Sequence, residues 1–403
     1  MLFSLTLRQY STISSSYETA ANVSGKNEMN IGVDAYYLYA AQIDGLGTYL
    51  LRLLLELSRI DRGNNYFLYT PGLTNLEYAD RIVSNRHFRI REIPGMFSTM
   101  RRFWLQSPSL KKEIMRDNID LFFAGAEYFP LLLPRSIYVA TVIHDVAFMA
   151  MPEVISLSNS IFYKYLFPFF IKRSDQFFTV SHHSKMEMVK HLHIAEEKIN
   201  VIYNGIDLKK FYKAKRKNKK QYLLYVGTLQ PRKNLVNIIK AYSYIADKID
   251  DALIIVGGSG WKNSPVLEVV RSLGKQAKRR IVFKGYVDGE ELAQLYREAK
   301  LFVLPSLHEG FCLPILEAMA SGTAVLTARR TAIPEVFGDA VQYADPYSPE
   351  DIAMKIYDLI TNSKKRAYLE KMGLALSKKY DVKVQAAEYL ASFKHIAGLI
   401  GKG

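Results

Sequence analysis

Short runs of wholly apolar or β-branched residues recur along the chain, and each is followed, after a loop, by a stretch with helical period. N-I-G-V-D-A begins at residue 30, Y-L-L-Y-V-G spans 222–227, and L-F-V-L-P spans 301–305. Strands that read as continuous apolar runs are buried on both faces, which is the signature of parallel sheets covered by helices. The first half predicts strands over 30–35, 66–70, 88–92, 119–123, 138–143, 176–180 and 200–203, with helices over 45–60, 100–117, 157–173 and 183–192. The alternation restarts at 222–227 and continues through 252–257, 280–284, 301–304 and 324–327, ending in a helical tail over 350–361 and 364–400. Two doubly wound α/β domains facing each other across a cleft are the economical reading of 403 residues. Their boundary falls at residues 207–220, where K-K-F-Y-K-A-K-R-K-N-K-K places eight basic residues without an acid. Such a block reads as a solvated linker, and it concentrates the net charge of +15. It suits an anionic membrane surface better than nucleic acid, since no nucleic-acid module accompanies it.

In open parallel sheets, ligands bind outside the carboxyl ends of strands. The most informative loop is residues 308–317, H-E-G-F-C-L-P-I-L-E. Glu309 lies in the strand-to-helix loop, and Glu317 about one turn into a helix that Pro314 suits at its start. Both acids border a helix N-terminus, whose N–H groups and dipole favour an anion. Anion donors beside two carboxylates fit a ligand that is part phosphate and part polyol, such as a sugar nucleotide. Metal binding by the two acids is a further alternative, disfavoured because no second His, Asp or Cys cluster accompanies them at ligand spacing.

Other loops after strands carry weaker signals. Gly45 and Gly47 open the 45–60 helix, where glycine admits a phosphate close to the backbone. His144 and Asp145 end the 138–143 strand and can present polar atoms to a ligand. Arg232 and Lys233 precede Asn234, a candidate helix cap, and two cations there suit a diphosphate. The 157–173 segment is aromatic and flanked by Lys and Arg, so it reads as core packing or as a membrane-surface helix. No apolar run is long enough for a membrane span, and one cysteine, Cys312, excludes a disulfide framework and fits a reducing compartment. Residues 1–29 read as a disordered extension before the first strand.

Taken together, several stretches resemble the family-four glycosyltransferases, retaining enzymes with the GT-B architecture of two Rossmann-like domains. They are V-I-H-D-V-A (142–147), S-D-Q-F-F-T-V-S-H-H-S (174–184), I-N-V-I-Y-N-G-I-D (199–207), Y-V-G-T-L-Q-P-R-K-N-L (225–235), G-S-G-W (258–261), residues 308–322 and A-I-P-E-V-F-G-D-A (332–340). The resemblance runs from about residue 30 to 400. It implies an N-terminal acceptor-side domain over 30–206, a nucleotide-sugar domain over 221–382, and a last helix (383–403) returning to the first domain.

It further implies that Arg232 and Lys233 grip the donor diphosphate and that Glu317 binds ribose hydroxyls. Glu309 would face the donor sugar together with Gly310, while the N–H groups of Phe311, Cys312 and Leu313 hold sugar and phosphate oxygens. Gly45 and Gly47 would approach the diphosphate, His144 the transferred sugar, and Tyr286 and Val287 the base. Two departures stand out: Thr48 replaces an arginine frequent in relatives, and Cys312 replaces a glycine.

The function so implied is a retaining, metal-independent hexosyltransferase. It would move mannose or glucose from GDP-mannose or UDP-glucose to a glycan or lipid-linked glycan, without a cofactor. The expected setting is cytoplasmic, peripheral on the inner membrane face. Alternatives are a nucleotide-sugar 2-epimerase or a glycan phosphorylase on the same fold, or a non-catalytic basic membrane-surface protein.

Overall fold

The computed structural model describes residues 28–40, 43–151, 157–214, 221–258, 264–287 and 289–401. Residues 1–27 of the expected extension, 215–220 of the basic run and 259–261 of the G-S-G-W stretch therefore lie outside the described residues, whereas Met29, expected in the extension, is buried and its N–H donates to Asn64 Oδ1 at 3.1 Å. Two parallel sheets account for the strand-like runs. The first has seven strands in the order β3-β2-β1-β4-β5-β6-β7. These are β1 Asn30–Asp34, β2 Asn65–Thr70, β3 Phe88–Glu92, β4 Leu121–Ala124, β5 Tyr138–Val142, β6 Gln176–Thr179 and β7 Ile199–Val201. The second has six, in the order β10-β9-β8-β11-β12-β13. They are β8 Tyr222–Val226, β9 Ala252–Val256, β10 Ile281–Gly285, β11 Leu301–Leu304, β12 Val325–Ala328 and β13 Gln342–Ala344. Renumbered from its own first strand, the second order is 3-2-1-4-5-6, the doubly wound order with one reversal of direction. That reversal lies between β8 and β11, which are paired in register at Leu301–Leu223 and Phe302–Leu224.

The chain forms two compact units. One runs to Val142 and takes in Lys172–Phe177 and Lys383–Gly403; the other comprises Ile143–Ile171 and Phe178–Val382. In the first unit the helix Gly45–Ile60 starts at Asp44, whose carboxylate accepts from the Gly47 N–H at 2.8 Å. Its leucines are buried along most of its circumference, as expected of a helix covered on several sides. The helix Val382–Ile400 joins the same core: the Tyr49 hydroxyl donates to that of Tyr389 at 2.6 Å, and Phe123 packs edge-on against Tyr389 and Phe393.

In the second unit, β8, β11 and β12 are buried along nearly their whole length, and their side chains pack against the helices Leu235–Ile245 and Leu313–Ala320. Residues 205–206 and 380–382 run side by side in this unit. Ile206 N–H donates to Tyr380 at 2.8 Å, Val382 N–H donates to Ile206 at 3.1 Å, and Ile206 bridges Asp381 in parallel. A Cβ on Gly205 would fall 2.3 Å from Val382 Cα, so the approach requires glycine there.

Several sequence expectations are corrected. The 100–117 helix is two, Arg101–Trp104 and Pro108–Arg116, because Pro108 lacks the N–H that continuation needs and Ser107 caps a new start. The 157–173 helix likewise divides into Leu157–Tyr165 and Phe167–Arg173 around Pro168. Its face is split as well, with Phe162, Phe167 and Phe170 buried and Ile161, Tyr165, Leu166 and Phe169 exposed.

Candidate active site

The loops after β8 and β11 leave adjacent strands at the reversal of the second sheet, so chain geometry brings them together. The first loop closes in a 3-10 turn, Pro231–Lys233, and Asn234 then adopts a left-handed backbone (φ 61°) before the helix Leu235–Ile245. Asn234 stands at the N-cap position of that helix, but its side chain makes no capping hydrogen bond. Its side-chain amide instead donates to the carbonyls of Pro305 at 3.0 Å and Pro346 at 2.7 Å. Asparagine tolerates the left-handed region better than most residues, so one side chain sets the turn and ties it to the end of β11. The backbone adds a tie: Leu307 N–H donates to Arg232 at 2.8 Å.

Within this frame Lys233 Nζ donates to Glu309 Oε1 at 2.6 Å. Arg232 Nη1 donates to Glu309 Oε2 at 3.3 Å and to the His308 carbonyl at 3.1 Å, and its Nε donates to Gln230 at 3.2 Å. Asp145 Oδ2 lies 3.8 Å from Arg232 Nη1, and the other oxygen of Asp145 accepts from Ala147 N–H. Glu309 is 4% exposed. Burial alone would raise its pKa, but Lys233 and Arg232 outweigh this and hold it down to about 2. Burial lowers the Arg232 pKa, and Asp145 and Glu309 outweigh that, so the guanidinium is held charged. The Glu309 carboxylate is thus committed to the two cations, which it fixes in place.

Gly310 sits where a Cβ would fall 2.1 Å from the His144 carbonyl oxygen and 2.9 Å from Asp145 Cβ. The pairing of 144–145 with the 308–310 loop therefore depends on glycine. Ser184 Oγ also donates to the His144 carbonyl, at 3.2 Å. Phe311 is buried among Phe337, Tyr203 and Tyr380. Cys312 stands at the start of the helix Leu313–Ala320 with φ 83°, a left-handed conformation natural to glycine. Its thiol is buried, and desolvation raises its pKa, so it is not a reactive thiolate. Glu317 is buried on the same helix, a turn past Leu313. Tyr286 follows β10 and is partly exposed, while Val287 packs against the core.

Gly45 and Gly47 belong to the first unit. A Cβ on Gly45 would meet nothing within 4 Å, whereas one on Gly47 would fall 2.5 Å from Tyr37 Cδ1. Gly47 therefore has a packing reason to be glycine that its neighbour lacks.

Two further groups escaped the sequence reading. Glu335 accepts from the N–H groups of His182 and His183, both at 2.8 Å, and from the Tyr203 hydroxyl at 2.9 Å, so it caps the helix His182–Leu192 from 152 or more residues away. On that helix, Glu187 lies between two imidazoles: His308 Nε2 at 3.0 Å and His183 Nε2 at 3.3 Å. Burial would raise the Glu187 pKa, but the two histidines hold it down to about 2. The i,i+4 pair His183 and Glu187 was visible as a helical pattern, but its third member lies 121 residues on.

This geometry can be set against known proteins. Residues 43–210 match the family described as Glycosyltransferase Family 4, and residues 207–374 match Glycosyl transferases group 1. The chain is a family-four glycosyltransferase. This glycosyltransferase is 27% identical over 367 residues to an O-antigen chain mannosyltransferase B of Escherichia coli, covering 84% of this chain and 92% of that one. It is 31% identical over 244 residues to an O-antigen chain mannosyltransferase of Salmonella typhimurium, covering 60% and 65% of the two chains. Its fold is GT-B. Among solved structures, that of Anabaena HepE in complex with UDP and glucose superposes with a TM-score of 0.70 at 17% identity, over 91% of this chain and all of that one. No helix among the described residues is long and apolar enough to cross a membrane.

Proposed function

We propose that this glycosyltransferase is a hexosyltransferase that moves mannose from a nucleotide-diphosphate sugar to a growing surface glycan or lipid-linked glycan. The observation that carries the reading is the paired cations, Arg232 and Lys233, held at the reversal of the second sheet by one buried carboxylate. The mannosyltransferase names of its relatives make mannose the favoured sugar and GDP-mannose the favoured donor over UDP-glucose. UDP and glucose in the HepE structure support a nucleotide-sugar donor for the fold.

The chemistry follows from charge. As the bond from the anomeric carbon to the diphosphate oxygen breaks, its electron pair stays on phosphate, and stabilising that charge is the large term. Arg232 and Lys233 are balanced by Glu309 and by Asp145, 3.8 Å from Arg232, and the start of the helix at Leu313 adds the positive end of its dipole. A pyrophosphate placed there would take N–H donors from both cations and from the helix start, and on that ground we propose that no divalent ion is called on at the phosphates.

In the retaining course we propose, the acceptor hydroxyl attacks the same face and passes its proton to the departing phosphate oxygen. Glu317 binds ribose hydroxyls, Gly310 to Leu313 line the sugar, His144 orients it, and Tyr286 and Val287 border the base. The exposed Ile161, Tyr165, Leu166 and Phe169, next to Lys164 and Lys172, support contact with an anionic membrane carrying the acceptor.

The test is transfer of labelled sugar from GDP-mannose and UDP-glucose to a lipid-linked glycan, with and without Arg232→Gln. The expected result is turnover with GDP-mannose, reduced about 100-fold in kcat by the substitution, as for loss of one charge-stabilising donor. Equal turnover in the variant, or none with any nucleotide sugar, would overturn the reading.

A further inference from the structure

We propose that His183, Glu187 and His308 form a three-donor site for a divalent transition-metal ion of the Zn2+ class. The site is apart from the phosphate-binding cations and locks the loop that carries them. The donor set is two imidazole nitrogens and one carboxylate oxygen, a combination that suits zinc and its neighbours and not magnesium or calcium.

The spacing agrees with this. Bonds of about 2.0–2.1 Å in a tetrahedral shell require donors roughly 3.3 Å apart. Glu187 Oε1 lies 3.0 Å from His308 Nε2 and 3.3 Å from His183 Nε2, and the three ligand atoms all lie within 4.8 Å of one another. Without an ion, His308 Nε2 and Glu187 Oε1 share a hydrogen bond, which a metal would replace. His183 Nε2 and Glu187 Oε2 are buried and have no hydrogen-bond partner. His308 is almost wholly buried, while the His183 side chain is 26% exposed.

The scaffold is rigid where it must be. His183 and Glu187 are one turn apart on a helix whose start is fixed by Glu335. His308 follows β11, and its carbonyl accepts from Arg232. A metal at this point therefore fixes the residue preceding Glu309 and, through it, the orientation of Arg232. His308 Nδ1 has no acceptor, and an unsupported ligand histidine weakens a site by about 10–100-fold. The site should accordingly load and unload with metal supply instead of holding an ion permanently.

The experiment uses the full chain, stripped with a chelator and dialysed. Equilibrium dialysis against Zn2+ and the visible absorption of Co2+ report the site directly, and neither depends on turnover. The expected result is one ion per chain, a low-symmetry Co2+ spectrum and a higher unfolding temperature with Zn2+. His183→Ala and Glu187→Gln should weaken binding by more than roughly 100-fold, beyond the loss of an outer-shell partner. His183→Cys should restore binding, with a sulfur-to-metal absorption band in the Co2+ form. His182→Ala, one residue outside the cluster, should leave binding intact. Absence of stoichiometric binding, or binding indifferent to His183 and Glu187, would show a hydrogen-bonded triad only and overturn the proposal. Circular dichroism of each variant separates lost binding from lost fold, and the His183→Cys arm keeps the test decisive if Glu187→Gln fails to fold.

Discussion

Replacing Lys233 by methionine leaves the Glu309 carboxylate buried with Arg232, at 3.3 Å, as its remaining cation. A carboxyl held at about 2 in place of 4.5 corresponds to about 3 kcal/mol of preference for the charged form, at 1.36 kcal/mol per pKa unit. Lys233 makes the shorter contact, 2.6 Å, and is the larger of the two cationic influences. Lys233→Met should therefore cost about 3 kcal/mol, the lower end of what removing one partner of a buried pair costs. Glu309→Gln should cost a similar amount, because it strands an ammonium that is 11% exposed. In the double variant neither charge is stranded, and Arg232 keeps the His308 carbonyl and Asp145. Its loss should fall short of the sum of the single losses by about 2 kcal/mol. Urea unfolding at pH 7 measures all four corners of this cycle, with equal slopes showing that the denatured state is unchanged. Additive losses, or a Lys233→Met loss under about 1 kcal/mol, would refute the claim that one carboxylate organises both cations.

Gly45→Ala should leave thermal stability unchanged within about 0.5 kcal/mol, whereas Gly47→Ala should lower it by more than about 1 kcal/mol through contact with Tyr37. If Gly45 approaches the donor, its alanine variant loses turnover at retained stability, which parallel melting and transfer assays would show. Cys312→Gly should preserve or raise the melting temperature, since it removes about 1 kcal/mol of left-handed strain, and Cys312→Val should lower it sharply. Burial raises the Glu388 pKa to about 7 from 4.5, so its neutral form is favoured in the folded protein. The stability it contributes is complete below 4.5 and lost as pH rises through 7. Glu388→Gln should therefore flatten the decline over that window and be more stable than the parent at pH 8 by on the order of 1 kcal/mol, read by melting across pH.

The sheets were legible because burial on both faces writes strands such as Leu301–Leu304 and Val325–Ala328 as unbroken apolar runs. β13 was not, since Gln342–Ala344 is short, at an edge, and half polar. The Arg232, Lys233 and Glu309 group followed from the rule that ligand loops leave the carboxyl ends of strands. What that rule could not say is that the carboxylate already holds the cations; only the 2.6 Å contact does. Asn234 misled because a residue's type suggests a local partner, while its amide found carbonyls 71 and 112 residues distant. The same distance problem hid Glu335 and the His183, Glu187 and His308 cluster. Glu317 is placed on its helix as the spacing required.

The parallel contact of Gly205 and Ile206 with Tyr380 to Val382 has an evolutionary corollary. The polypeptide enters the second sheet and departs from it at a single doorway, so everything between is a cassette with coincident ends. A segment of that kind has one covalent seam, at which Gly205 is the stitch any chimaera with another transferase must keep, while Arg232, Gly310 and Glu335 inside it must still meet Asp145, His144 and the helix His182–Leu192 outside it.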